Sequence, residues 1–181
     1  CIAAGAQKQG IFELGGEVGR CHAHNAAGIE ITLGGLRGLA GEAGMGDARQ
    51  RLFVDLANER VHSYLCSHGT GSDPQHDGWL KNFSNVEGSN ATSRGAYFTR
   101  GWYTGRYGVS IRLDGLDATN SNALDRAIVM HQATYARAEH VERWGRLGRS
   151  NGCFAMDPKD FDEAKLHLAG GKLLLADSYG I

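Results

Sequence analysis

Gly148-Arg149-Ser150-Asn151-Gly152-Cys153-Phe154 sets a cysteine after a glycine and among small polar residues. Upstream, Ala127-Ile128-Val129-Met130-His131 ends an apolar run on a histidine. A thiol attacks only as thiolate, and a nearby imidazole is the usual means of making one near neutral pH. Backbone N–H groups around Asn151, Gly152 and Cys153 suit a developing oxyanion. Alone, such a pair is more often an inert small hydrophobe and a hydrogen-bonded side chain. The neighbouring sequence decides between the two readings.

Outward from this stretch, the pattern is mostly that of strands. Residues 51–57 and 60–67 carry alternating apolar and β-branched or aromatic side chains, and Asn58-Glu59 suits a hairpin link between them. Residues 69–92, rich in Gly, Ser, Asn and Asp, read as a long loop over the surface. Residues 95–99 and 107–113 read as further strands, and 121–126 as a helical turn before the buried run 127–131. Asp157-Pro158 is a helix start, because Asp caps and Pro fits the first turn. Phe161, Ala164, Lys165 and Leu168 follow at helical spacing, so a helix is expected over 158–168, ended by Gly170-Gly171 and followed by a strand at 172–176. The chain has 27 Gly and 2 Pro, which favours a β-rich fold with Gly turns over a helical one. Gly15-Gly16, Gly34-Gly35 and Gly38 interrupt any helix pattern in the first part of the chain.

From about Arg51 onward a series of landmarks appears in order. They are the strand Arg51-Leu52-Phe53-Val54-Asp55-Leu56 and the turn Ser67-His68-Gly69-Thr70-Gly71-Ser72. Phe83-Ser84-Asn85, Gly88-Ser89 and Thr92-Ser93-Arg94-Gly95-Ala96-Tyr97 come next. Ile128 to His131, Gly145 to Cys153, and Gly170-Gly171-Lys172-Leu173-Leu174-Leu175 complete the series. In this order they resemble the L,D-transpeptidase (YkuD-type) catalytic domain, in its murein L,D-transpeptidase branch. The resemblance implies a mainly β, sandwich- or barrel-like fold over residues 48–181, with residues 1–47 a segment of unclear role. It implies Cys153 as nucleophile and His131 as base, oriented by a backbone carbonyl. Ser150, Asn151, Gly152, Arg149 and His68 would line the site. It further implies acyl transfer on peptidoglycan stem peptides without metal or cofactor, trapping by carbapenem-type β-lactams, and export to a bacterial periplasm or envelope. Two positions depart from the wider family. Asn151 stands where His is usual, and Ala155 where Arg is usual, with Arg149 the candidate replacement.

The other features bound the function. With 19 basic and 20 acidic residues, the chain lacks the basic excess of a nucleic-acid-binding protein. No apolar run reaches membrane-spanning length. No secretory signal is visible, as in a mature form whose signal has been removed. Four cysteines, Cys1, Cys21, Cys66 and Cys153, do not make a dense disulfide framework. Cys21-His22-Ala23-His24 is too contiguous to surround a tetrahedral zinc and reads as structural or surface sequence. Trp79, Phe83, Trp102, Tyr103 and Tyr107 suit a wall for a peptide or sugar, although most of them are expected in the core. Arg94, Arg126, Arg146 and Arg149 are candidate partners for a substrate carboxylate, Arg149 first. Ser150 lacks the Gly-x-Ser-x-Gly flanks of a serine nucleophile. Alternative readings are an L,D-carboxypeptidase using water and a catalytically silent cell-wall-binding module. A papain-like protease is disfavoured because His131 precedes Cys153.

Overall fold

Ile111 and Leu113 are buried while Arg112 between them is exposed, the alternation of a strand with two different faces. The computed structural model describes residues 2–4, 23–24, 30–31, 50–55 and 60–177, with side chains from Tyr64 to Asp177. The expectations for Cys1, Cys21, His22, the early glycines and the Asn58-Glu59 link lie outside the described residues.

The strands are β1 (Ile2–Ala4), β2 (Ala23–His24), β3 (Glu30–Ile31), β4 (Gln50–Asp55), β5 (Arg60–Ser67), β6 (Gly95–Gly105), β7 (Gly108–Gly115), β8 (Val129–Gln132), β9 (Phe154–Met156) and β10 (Leu173–Ala176). Eight of them pair in the closed order β1-β10-β6-β7-β8-β9-β5-β4, and β2 and β3 pair with each other. The fold is mainly β, as the sequence implies. β4 and β5 form the expected antiparallel pair, from Gln50 opposite Leu65 to Asp55 opposite Arg60. β1 lies between β4 and β10, so the first residues of the chain contribute a strand to the main sheet.

One face of the curled sheet is the core. Tyr64, Cys66, Tyr97, Ile111, Leu113, Met130, Phe154, Met156 and Leu174 are buried together there. A helix from Pro158 to Leu168 (termed α2) covers this face with Phe161, Ala164 and Leu168, as its spacing predicts. Asp157 caps it by accepting the Lys159 N–H at 2.8 Å. Its last carbonyl region is tied to β6 by the Thr99 hydroxyl, which donates to Leu168 O at 2.5 Å. The Gly170 and Gly171 N–H groups donate to Arg100 O and Thr99 O, at 3.1 and 2.8 Å, and turn the chain into β10.

Four expectations change. A helix from Ala138 to Trp144 (α1) had no predicted counterpart: it buries none of its residues, so it has no apolar stripe to betray it. Strand β9 is only three residues long, too short for a periodicity. The 69–92 loop does not simply run over the surface, since Ser72, Asp73, Ala91 and Thr92 are buried. The five aromatics are not core: Trp79, Trp102 and Tyr107 are exposed, and Phe83 and Tyr103 are partly so.

Phe161 is fully buried between α2 and the sheet. Phe161→Ala should lower unfolding free energy by about 3–5 kcal/mol in urea titrations, because truncation removes buried area and leaves a cavity. Asp157→Ala should cost only about 1 kcal/mol, the typical value of a lost helix cap.

Candidate functional site

The candidate residues lie on the face of the sheet opposite the core. Cross-strand registers align Tyr103 with Ser110, Ser110 with His131, His131 with Ala155 and Ala155 with Ser67 in one transverse row. β8 and β9 run parallel, with Met130 opposite Phe154. Cys153 immediately precedes β9, so the same register sets it beside Val129. Residues two apart share a face, which puts the Cys153 thiol and the His131 imidazole on one side, one pair apart.

The segment before Cys153 is held by a second parallel contact. Gly69 and Ser150 form an isolated bridge, with Ser150 N–H donating to His68 O at 2.9 Å and Thr70 N–H to Ser150 O at 2.8 Å. Gly69 and Gly152 meet backbone to backbone: a Cβ on Gly69 would stand 2.7 Å from Gly152 Cα. Gly152 itself has φ +113° and lies against the Ala91 carbonyl, a position that only glycine fills without strain. The Ser150 hydroxyl donates to Cys153 O at 2.6 Å and accepts the Gly152 N–H at 3.2 Å. Ser150 and Gly152 therefore shape the loop, and the Gly152 N–H is already directed to Ser150.

The arginines are sorted by their partners. Arg126 donates to Ser84 O, the Ser93 and Ser89 hydroxyls and Ala91 O, at 2.6 to 3.1 Å. It clips the 84–93 loop over the site, and its charge favours the thiolate of Cys153. Arg149 donates to the Asp73 carbonyl, and Arg94 pairs with Asp177 at 2.9 Å. Arg146 is partly buried. Thus Arg149 ties two loops together, with one N–H engaged on the Asp73 carbonyl. Arg112, which sequence reasoning did not single out, is exposed on the site face, stacked 4.3 Å over the Tyr103 ring. No acid pairs with it among the described residues. An Arg in an exposed strand position has no sequence signal to separate it from a solvated one. His68 is buried, with Nε2 3.6 Å from Asp73 Oδ2; that separation exceeds a hydrogen bond, so the contact is electrostatic. Asn151 is exposed.

The thiol of Cys153 donates to Ala127 O at 3.6 Å. Ala127 takes φ +53°, which turns this carbonyl toward the sulfur at the entry to β8. Burial pushes the Cys153 thiol up, while the Val129 backbone N–H and the Arg126 charge pull it down. His131 is 4% exposed. Burial lowers its pKa, and a hydrogen bond to Gln132 O partly offsets this. That bond, Nδ1 to Gln132 O at 2.8 Å, assigns the proton to Nδ1, since a carbonyl only accepts, and leaves Nε2 with its lone pair. This is the backbone-carbonyl orientation that the sequence resemblance implies. Tyr135 lies close by; burial first, and the neighbouring Cys153 second, raise its phenol to about 12.

Both shifts favour the neutral forms, a thiol and an uncharged imidazole. A raised thiol pKa means less thiolate at every pH below it. The rate of Cys153 alkylation by iodoacetamide should therefore keep rising through pH ~8.5, the ordinary thiol value. A plateau below pH 7 would instead show a preformed thiolate–imidazolium pair.

Cys153 is a free thiol. No helix among the described residues is long and apolar enough to cross a membrane. Comparison with curated proteins and with solved structures returns no match. The family model of the L,D-transpeptidase catalytic domain, YkuD_2, matches residues 45–176. That span runs from ahead of β4 to the end of β10 and takes in both Cys153 and His131. The chain belongs to the L,D-transpeptidase catalytic domain family.

Proposed function

We propose that this chain is a cysteine-dependent acyltransferase that cross-links peptidoglycan stem peptides. Family membership supports L,D-transpeptidase-type activity on peptidoglycan in general. The observation that carries the finer reading is the His131 hydrogen bond from Nδ1 to Gln132 O, made on the face that also holds the Cys153 thiol. It fixes the tautomer a general base needs.

In this mechanism His131 Nε2 takes the Cys153 proton as the sulfur attacks the carbonyl of the L-residue in an L–D peptide bond. A carbon–sulfur bond forms, and the carbonyl π pair moves to oxygen. The N–H groups of Asn151 and Cys153 serve the oxyanion, because the Gly152 N–H is engaged by Ser150. Collapse breaks the carbon–nitrogen bond, and the imidazolium returns its proton to the leaving D-amino acid. An amine from a second stem then attacks the thioester, loses a proton to His131 and displaces the thiolate. Arg126 stabilises that thiolate electrostatically. Arg112 is the cation available to a carboxylate on the donor strand. Since this substrate lies in a bacterial wall, the protein acts in the periplasm or cell envelope.

Incubation of the protein with purified stem peptides, followed by mass spectrometry, tests the reading. Cross-linked dimers are expected with the parent chain and none with Cys153→Ala, which should keep its melting temperature. Products trimmed by one D-residue, without dimers, would make the protein an L,D-carboxypeptidase. Processing that persists in Cys153→Ala would overturn the mechanism. A carbapenem should add once, on the peptide containing Cys153. An inert thiol and no products would leave a wall-binding module.

A further inference from the structure

β6 and β7 join through Arg106 and Tyr107, between the paired Gly105 and Gly108. Neither Arg106 nor Tyr107 has positive φ; Gly108 carries it, at +79°. Gly108 supplies the left-handed residue that closes this tight link. The tip lies against the end of β8. A Cβ on Gly108 would stand 3.1 Å from Gln132 Nε2. The Tyr107 ring stacks on the His131 imidazole, with centroids 4.8 Å apart and planes 23° from parallel. The tip thus meets both His131 and the residue whose carbonyl holds the His131 Nδ1 proton.

Tyr107 has no role in the core. It is 49% exposed, whereas His131 beneath it is 4% exposed. One face of an aromatic ring is spent covering one histidine. A hydrogen bond to Gln132 fixes Nδ1 within the ring plane but leaves rotation about that bond. A stacked ring restricts that rotation.

We infer that Tyr107 is a positioning residue for His131, clamping the imidazole against the Gln132 carbonyl so that Nε2 is presented to the Cys153 thiol. This rests on the reading of His131 as the base of the site. The tyrosine hydroxyl has no part in it; the ring does the work. Among the described residues, the titratable and charged groups around the pair are Cys153 beside β9, Tyr135 after β8, and Arg106 and Arg112 on the hairpin. Tyr135 is near enough to feel both Tyr107 and Cys153. Arg106 lies 5.9 Å from the Tyr107 centroid, on the solvent side of the hairpin tip. The His131 pKa is set chiefly by burial, and Tyr107 supplies part of that burial. Removing the ring lets water reach the imidazole, so its pKa rises toward the ordinary value. More imidazolium then forms at a given pH, and the acid limb of activity moves to higher pH.

The test uses the full chain with Tyr107→Ala, Tyr107→Leu and Tyr107→Phe, and His131→Gln as control. Long-range nitrogen–proton NMR of the imidazole gives the His131 pKa and tautomer. Stem-peptide turnover gives kcat and KM, and iodoacetamide gives the Cys153 alkylation profile. Tyr107→Ala should raise the His131 pKa and mix its tautomers. It should lower kcat roughly five- to tenfold, the scale of one lost aromatic contact expressed at the transition state, with KM nearly unchanged. Tyr107→Leu, which keeps bulk but not a flat face, should restore the pKa in part and the tautomer poorly. Tyr107→Phe should rescue both. An unchanged His131 pKa and tautomer in Tyr107→Ala overturns the inference, as does a Tyr107→Phe protein that behaves like Tyr107→Ala. If His131→Gln turns over stem peptides like the parent chain, the dyad reading itself fails, whatever Tyr107 does to the titration.

Discussion

The parallel pairing of β8 with β9 is the constraint on which the site depends. Parallel neighbours cannot be joined by a tight turn and need a crossover of a dozen or more residues. Here the crossover is the run between Gln132 and Phe154, and its last residue is Cys153. The register that closes the pair also sets the sulfur beside Val129 and one step from His131. Everything between is tied down by its ends: Ala133 N–H donates to Met156 O, and Gly148 N–H to Tyr135 O, both at 2.8 Å. His140 Nδ1 lies 2.9 Å from Arg146 O and His76 Nε2 3.2 Å from Leu147 O, so the segment entering the nucleophile is held on both sides.

The second requirement is exclusion of water without loss of polarity. Cys153 and His131 are both buried, which disfavours a resting ion pair but makes each nearby dipole count for more. The 84–93 loop, which lies against Gly152, is held mostly by backbone and hydroxyl groups, with Arg126 as its clip. Gly69 and Gly152 allow that loop and the nucleophile segment to approach closer than any side chain permits.

Much of this was legible in residue order. Asp157-Pro158 and the spacing of Phe161, Ala164 and Leu168 located a helix because capping and amphipathicity are local properties. The β4–β5 pair followed from alternation. The His68-Gly69-Thr70-Gly71-Ser72 and Gly148-to-Cys153 motifs were recognisable separately, but not that they pair with each other through Gly69 and Ser150. Arg149 stood out because it is near Cys153 in sequence; only the structure shows that it also holds the Asp73 carbonyl. Arg112 and Tyr107 lie far from Cys153 in sequence, and only the curl of the sheet and the hairpin tip bring them to the site face.

By itself the sequence determined the class of fold and the family, and it named Cys153 and His131 as the candidate nucleophile and base. Each of these is written in side-chain chemistry and short-range spacing. Only the tertiary structure decided which face of the sheet holds Cys153 and His131, which nitrogen of His131 holds the proton, and which arginine on that face has no acidic partner among the described residues. Those are set by cross-strand register and by the desolvation that packing imposes. Both depend on residues brought together across the chain, whose separation along it carries no such information.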